Sequence, residues 1–590
     1  ARSVLASSVV YAGGLVGHVG VNSTISGCTH KGKLEVAVTR TSSNGYAYVG
    51  GLAGYIAGAI ESSVNTGSVS DNTFSKFHYV GGVTGFVGEG DAALKTCVNS
   101  GAVKHTSTRT ADGGSEMNRD VYVGGLTGAS RGALIDLKNS GTVDIWPNAK
   151  SIYLGGVVGC VLAGSAEKCV ADHGVVSYNR PLDLEDIPAN LGKYVYMGGV
   201  FGSLNIPMEL DYAQLPVTCD VKATSVEPNS AQLLVGGIIG YAQKALTIKS
   251  PQWSGSIDFT MSKGNNVTGL IGFGGILGST LDPETVVTGA QTSGKIIINA
   301  ASSSIWVVPT SAGGIVGCAR GGVNISESIN NAVLDWTGGC AKSNDRGVVS
   351  MGGIVGTIEK GLSNISKCTN NGSVTNLHYH NNKWETGKLM GTRTAGIVGT
   401  YGYVKTGDTY VMDTGALESS KITISDCHST ADIVGYRGLV GGIAGYLYNA
   451  EVNGCTNTGS SSNKRHNCNV GGIAGAVEKT TIENCTVVAS LYGRHQGSCG
   501  FKAGGIAAYL YTGSSISNSK YFGHITTGDN GTAEVYYGGI VGETQTGCSV
   551  NSCSFGGSIL NETITSENFA DYAIGNKAIE AVDCTYWSGE

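Results

Sequence analysis

YVGGLAGYIAGAIESSVNTGSVS, residues 48 to 70, holds five glycines, a single charged side chain at Glu61 and two short apolar patches. Versions of this stretch recur along the whole 590-residue chain, so repetition is the first question to settle. Aligning on the glycine pair gives GGLVG at Gly13, GGLAG at Gly50, GGVTG at Gly81, GGLTG at Gly124, GGVVG at Gly155 and GGVFG at Gly198. The series continues with GGIIG at Gly236, GGILG at Gly274, GGIVG at Gly313 and Gly352, and AGIVG at Ala395. It closes with GGIAG at Gly441 and Gly471, GGIAA at Gly504 and GGIVG at Gly538. That is about fifteen copies at a mean spacing of roughly 37 residues, a period found in solenoids and propellers.

A second element follows most copies: ISGCTHKGKL from Ile25, IESSVNTGSV from Ile60, ISKCTNNGSV from Ile365, VNGCTNTGS from Val452 and IENCTVVAS from Ile482. Its order is apolar, two polar residues, Cys or Ser, then a polar turn and another apolar residue. Both elements are short, rich in β-branched residues and bounded by Gly, Asn and Ser, which is a strand-and-turn pattern; no sustained helical period is present. One such unit cannot bury its apolar positions alone. Units stacked about 4.8 Å apart place each Ile on an Ile and each Gly on a Gly.

The sequence therefore predicts an all-β fold: a right-handed parallel β-helix (β-solenoid) of about fifteen coils. The handedness follows from the general rule for parallel crossovers. The near-fixed glycines fit coil corners, where either a positive φ or close backbone approach excludes a Cβ. A bladed propeller is the competing architecture, but it needs four strands joined by hairpins in each repeat. Residues 1–590 read as one continuous solenoid with insertions at about 104–120, 178–193 and 377–420.

Composition agrees. Glycine supplies 93 residues and charged residues only 14%, against about 25% in an average protein. At 41% apolar the chain is no disordered linker, and glycine lacks the strict three-residue period of collagen. A net charge of −6 without a basic stripe argues against a nucleic-acid partner. No apolar run reaches the ~18 residues of a membrane span. The opening ARSVLASSVVYAGG has neither an initiator Met nor a basic-then-apolar leader, and reads as a processed or partial chain.

The G-G-[LIV]-x-G element, with its Cys/Ser strand and N-x-G turn, resembles the GLUG repeat of large secreted and cell-surface bacterial proteins, and the resemblance covers essentially the whole chain. It implies an extracellular or cell-surface β-solenoid of adhesin-like proteins, also found beside the catalytic domain of some surface peptidases. The repeat defines no catalytic residue, so the resemblance implies none here. Ala395 for the first glycine and Ala508 for the last mark locally altered coils.

Sixteen cysteines call for a weighing of disulfides and zinc. Cys28, Cys97, Cys169, Cys368, Cys427, Cys455, Cys485, Cys553 and Cys584 share one slot, which Ser63, Ser328 and Ser519 occupy elsewhere. A small inward residue is what that slot requires, so buried free thiols are expected. Cys548 with Cys553, or Cys160 with Cys169, are the candidates for a bridge across a turn. No CxxC pair, HExxH, GxSxG or phosphate loop is present, and neither a metal, a cofactor nor catalysis is expected.

The candidate binding residues are His378, Tyr379, His380, Trp384, Tyr401, Tyr403 and Tyr410, aromatic side chains gathered in the third insertion. Insertions in solenoids lie on one face and often form the binding surface. The alternating His378 and His380 also form a weak H-x-H metal signal. Tyr48, Tyr79, Tyr122, Tyr153 and Tyr196 each stand two residues before a glycine pair and should stack in a column, either within the core or exposed for sugar stacking. A glycan or a surface protein is the expected partner. Two other classes stay open. One is a carbohydrate-active β-helix enzyme using carboxylates such as Asp183, Glu185 and Asp186. The other is a subunit of a surface fibre or an outer-membrane assembly with other envelope proteins, suggested by the uncapped segment Ala1 to Val10.

Overall fold

The computed structural model describes residues 2–3, 9–38, 45–73, 75–106, 119–146, 149–179, 193–224, 232–260, 266–267, 269–300, 305–306, 310–338, 348–378, 391–402, 404–406, 409–411, 417, 419–464, 468–494, 500–528, 535–576 and 578–589. Strand accounts for 63% of the chain and helix for 1%, and the strands stack as long parallel sheets over many coils, which makes the fold a parallel β-solenoid. The chain divides into two compact units, Ala1–Asp282 and Pro283–Glu590.

The opening stretch of sequence is one coil of the first unit. Its strands are Tyr46–Gly50, Ala53–Ile56, Ala59–Glu61, Val64–Asn65 and Val69–Thr73. Each lies parallel to its counterpart one repeat later. Tyr48 faces Tyr79 and Gly50 faces Gly81 in one sheet, Tyr55 faces Phe86 in the next, and Ile60 faces Leu94, Asn65 faces Asn99 and Val69 faces Val103 around the rest of the turn. Parallel pairing at one repeat's separation excludes the propeller, whose blades are built from hairpins. The same register holds in the second unit, where Asn330 faces Asn370, Gly352 faces Ala395 and Ile365 faces Ile424.

Sequence identity at matching positions explains the order of the core. The residue after each glycine pair points inward, and Leu52, Val83, Leu126 and Val157 in the first unit and Ile315, Ile354 and Ile397 in the second are fully buried. Burying a stack of such side chains is the main stabilising contribution of the fold, at about 25 cal/mol for each Å² of apolar surface.

The glycines of the corner are held by close approach, since none of the pair has a positive φ. A Cβ on Gly85 would lie 2.6 Å from both Tyr79 O and Val49 N, and one on Gly82 would lie 2.5 Å from Asn99 Cγ. Positive φ falls elsewhere, on the residue before the Cys/Ser slot: Ser62, Thr96, Asp136 and Lys168 in the first unit and Glu327, Lys367, Asp426 and Asn484 in the second. That left-handed residue turns the chain sharply so that the residue of the slot, Leu137 after Asp136 and Cys or Ser after the others, points into the core.

The asparagine of the N-x-G turn also points inward. Asn65 Nδ2 donates to Gly67 O at 2.9 Å and to Asn99 Oδ1 at 2.6 Å, and Asn99 Nδ2 repeats both contacts with Gly101 O and Asn139 Oδ1. Each buried amide thus satisfies a turn carbonyl and the next amide, as a buried polar group must.

The cysteines that the structure describes are free thiols, and Cys97, Cys169, Cys368, Cys427, Cys455, Cys485 and Cys553 are buried in the shared slot. Cys548 and Cys160 form no bridge.

Most of the first two insertions, residues 107–118 and 180–192, lies outside the described residues. The third is not a single excursion. Thr392–Ala395 and Val398–Tyr401 lie in register with the preceding coil, Gly352 facing Ala395 and Val355 facing Val398. A regular glycine corner therefore interrupts residues 377–420. Beyond it, Val404–Thr406 and Thr409–Val411 pair antiparallel as a small hairpin.

Candidate functional site

The glycine corner creates a concave cleft. In the coil of residues 46 to 56, Ala47 and Val49 are fully buried in the core, while Tyr48 points from the opposite face of the strand. The tight corner folds that outer face against the next strand, where Tyr55 meets it. Coil stacking then turns single rings into rows. Tyr48 stacks on Tyr79, Tyr79 on Tyr122 and Tyr122 on Tyr153, with ring centroids 5.1, 4.9 and 4.5 Å apart and interplanar angles of 12° or less. Tyr153 tilts toward Tyr196 at 5.3 Å. A second row comes from the facing sheet, where Tyr55 stacks on Phe86 at 5.6 Å, and the two rows meet edge-on at Tyr48–Tyr55 and Tyr79–Phe86. Offset stacking within rows and edge contacts between them are both favoured by the ring quadrupole.

The tyrosine column is therefore an external row that the cleft covers. Tyr79, Tyr122 and Tyr196 are buried, and Tyr48 and Tyr153 half-buried. Burial raises the phenol pKa values of Tyr48, Tyr79, Tyr122 and Tyr153 above the ordinary value of 10.0, and the neighbouring phenols of the row push those of Tyr48, Tyr79 and Tyr122 further in the same direction.

The row reaches solvent at one end of this cluster. Tyr46 is 36% exposed and stacks on Phe77 at 5.0 Å, beside half-buried Tyr48 and Tyr55. Tyr11 and His18 extend it, Tyr11 stacking on Tyr48 at 5.2 Å and His18 on Tyr55 at 5.1 Å.

In the second unit the same cleft positions carry charge. Arg393 and Lys502 stand at the tyrosine-column position, with the Arg393 guanidinium 5.2 Å from the ring centroid of Tyr446 and Lys502 Nζ 4.0 Å from that of Tyr509. Lys502 also pairs with Glu543, and Tyr446 Oη donates to Glu478 Oε2 at 3.3 Å. Cation–π and ion-pair contacts thus replace ring stacking, with Leu417, Tyr448 and Tyr511 packed around them.

The candidate residues of the third insertion separate. His378 is fully buried, its ring edge-on to Trp336 at 5.8 Å, and Tyr401 is fully buried with its hydroxyl donating to Gly361 O at 2.9 Å. Both belong to regular coils and present no face to a ligand, because the preceding coil covers them. Tyr410 lies on the 409–411 strand of the hairpin, opposite Lys405. Tyr379, His380, Trp384 and Tyr403 lie outside the described residues, as do Asp183, Glu185 and Asp186.

Sequence reading passed over one buried cluster, Asp71, His78 and His105. Its signal was a spacing: Asp71 and His105 occupy equivalent positions one repeat apart, and face each other directly.

Repeated parallel coils with a glycine corner and a Cys/Ser slot define a β-helix repeat protein. The family model of the GLUG motif matches residues 466–492, a segment that contains the Gly471 corner, Ile482 and Cys485. The match is consistent with a GLUG-repeat protein, and the other coils carry the same pattern in register. No curated protein and no solved structure matches it. Among the described residues no helix is long and apolar enough to cross a membrane.

Proposed function

We propose that this chain is an extracellular, adhesin-like binding scaffold of a bacterial surface protein, which offers rows of aromatic side chains to a glycan or a protein partner and performs no catalysis. The observation that carries this reading is the solvent-facing end of the aromatic cleft, where Tyr46, Phe77, Tyr48 and Tyr55 form a partly exposed patch of stacked rings. Exposed apolar patches on a folded surface mark interaction sites, and flat rings at a coil-to-coil spacing of about 5 Å suit an extended ligand that makes several weak contacts in sequence. The resemblance to secreted and cell-surface repeat proteins supports the location.

A glycan and glycoprotein array with the intact chain tests the proposal, beside a Tyr46→Ala/Phe77→Ala variant and a Trp384→Ala variant. Binding lost in the first variant supports the cleft. Binding lost only in the second moves the site to the third insertion. Cleavage of an arrayed glycan by the intact chain would overturn the proposal in favour of a carbohydrate-active enzyme, and absence of any binding would leave an assembly role as the surviving reading.

A further inference from the structure

Asp71, His78 and His105 form a closed cluster inside the first unit, independent of the aromatic cleft. Asp71 lies on the strand Val69–Thr73 and His105 on Val103–Thr106, directly opposite in the parallel register of successive coils. His78 comes from the neighbouring sheet, on Phe77–Gly81, and all three side chains are fully buried. Asp71 Oδ2 is 2.8 Å from His105 Nδ1 and 3.6 Å from His78 Nδ1, and one ligand atom from each residue lies within 4.8 Å of the others. Thr73 Oγ1 stands 3.2 Å from His78 Nδ1.

The protonation of His78 can be read from its contacts. Its Nε2 makes two contacts with Ser75, 2.7 Å from the carbonyl oxygen and 3.1 Å from the amide nitrogen, and in the tautomer that donates to the closer carbonyl Nδ1 is left to accept. In the neutral ring, Nδ1 therefore presents a lone pair toward the Asp71 carboxylate. That lone pair, the Asp71 carboxylate 3.6 Å away and the Thr73 hydroxyl 3.2 Å away form a dry group of donors that a cation can occupy.

We propose that Asp71, His78 and His105 bind one divalent transition-metal ion of the zinc class. Two imidazole nitrogens and a carboxylate oxygen are a donor set that Zn²⁺ accepts, and ligands about 2.0 Å from a tetrahedral ion lie roughly 3.3 Å from each other, between the two separations seen here. The surroundings match a metal site as well. The Ser75 carbonyl orients His78 through the ring nitrogen that faces away from the ion, and the Thr73 amide donates to Asp71 Oδ1 at 3.1 Å, leaving Oδ2 for coordination. His105 Nε2 is buried without a hydrogen-bond partner, so a ring that takes an ion through Nδ1 in place of the proton it shares with Asp71 has its other nitrogen free to carry that proton. With three buried protein donors and no solvent access the role is structural: the ion ties two successive coils of one sheet to a strand of the next.

The test uses the intact chain, stripped with a chelator and titrated with Zn²⁺ alone and with Co²⁺ alone. The expected result is one ion per chain after gel filtration, four-coordinate d–d bands with Co²⁺, and an unfolding midpoint that rises with free Zn²⁺. Affinity should fall at least about 100-fold in His105→Gln and be unchanged in His173→Gln, whose ring is exposed. X-ray absorption at the zinc edge of the unaltered chain keeps the test independent of whether His105→Gln folds. Two imidazole nitrogens with oxygen donors support the site. Sulfur ligation from the cysteines, no stoichiometric ion, or wild-type affinity in His105→Gln would each overturn it and leave a cluster held by a shared proton.

Discussion

Gly82 leaves the space that Asn99 fills: a Cβ on Gly82 would lie 2.5 Å from Asn99 Cγ. The asparagine is fixed there by its neighbours, accepting from Asn65 and donating to Asn139 and Gly101. The second glycine of the pair thus makes room for an inward side chain from the turn, an amide at Asn65, Asn99 and Asn139 and an aromatic ring at Trp253 and Tyr521, so two motifs far apart in the sequence of a coil are one packing contact.

Gly82→Ala should therefore destabilise the chain by about 3 kcal/mol or more, the range of an overpacked core, since backbone as well as Asn99 blocks the methyl group. Gly27→Ala makes the contrast. Nothing lies within 4 Å of its Cβ direction, and only the positive φ of 63° opposes substitution, at about 1 to 2 kcal/mol. Guanidinium unfolding followed by circular dichroism compares the two midpoints; equal losses would contradict the packing account.

The thiols should divide sharply by reactivity. Burial pushes the Cys97 thiol up to about 11 and the Cys169 thiol up to about 12, whereas a hydrogen bond with Cys553, opposed by partial burial, holds Cys584 below the ordinary thiol value. Because only the thiolate is alkylated, Cys584 should react with iodoacetamide at lower pH than the other thiols, and Cys97 and Cys169 should stay unmodified until the chain unfolds. Peptide mapping by mass spectrometry over a pH series reads each site separately.

The repeat made the coils legible because its residues serve the stacking itself: the aliphatic after each glycine pair, and the small residue of the Cys/Ser slot, recur wherever a coil recurs. What depends on the coil's cross-section was not legible. Asn65 reads as a turn residue, yet it faces inward, because the left-handed Ser62 redirects the chain just before it. The direction of Tyr48 depended on the sharpness of the glycine corner, which no residue count supplies. His378 and Tyr401 look like parts of an aromatic insertion, but they return to regular coil positions, where the register covers them. Asp71 and His105 are unremarkable one at a time and acquire meaning only as register partners.

Asp120 gives a pH-dependent test. Its carboxyl is pushed above the ordinary value of 3.8 by burial, against the opposing hydrogen bond from Ser151 and the attraction of Lys150 and Lys76. A raised folded pKa means that the native chain holds a proton the unfolded chain has already released. The contribution to stability is complete below 3.8 and is lost as pH rises through the raised value. Asp120→Asn, neutral at every pH and still able to accept from Ser151, should raise the unfolding midpoint at neutral pH, with the gain shrinking to nothing in acid. A gain that is constant with pH would show that charge burial is not its cause.

The tyrosine row should behave as a packed unit. Tyr122 sits between Tyr79 and Tyr153 at 4.9 and 4.5 Å, so Tyr122→Ala removes a buried ring together with two stacking contacts. A loss of about 3 to 5 kcal/mol is expected, while Tyr122→Phe, which keeps the stack and removes only the hydroxyl, should cost about 1 kcal/mol. The same packing delays ionisation, since a phenolate within the row would be both desolvated and set against neighbouring phenols. Alkaline titration followed at the tyrosinate band should show a second set of tyrosines, the row among them, that ionises only as the chain unfolds. If Tyr122→Ala left the size of that second set unchanged, the stacked row would not be the source of the delay.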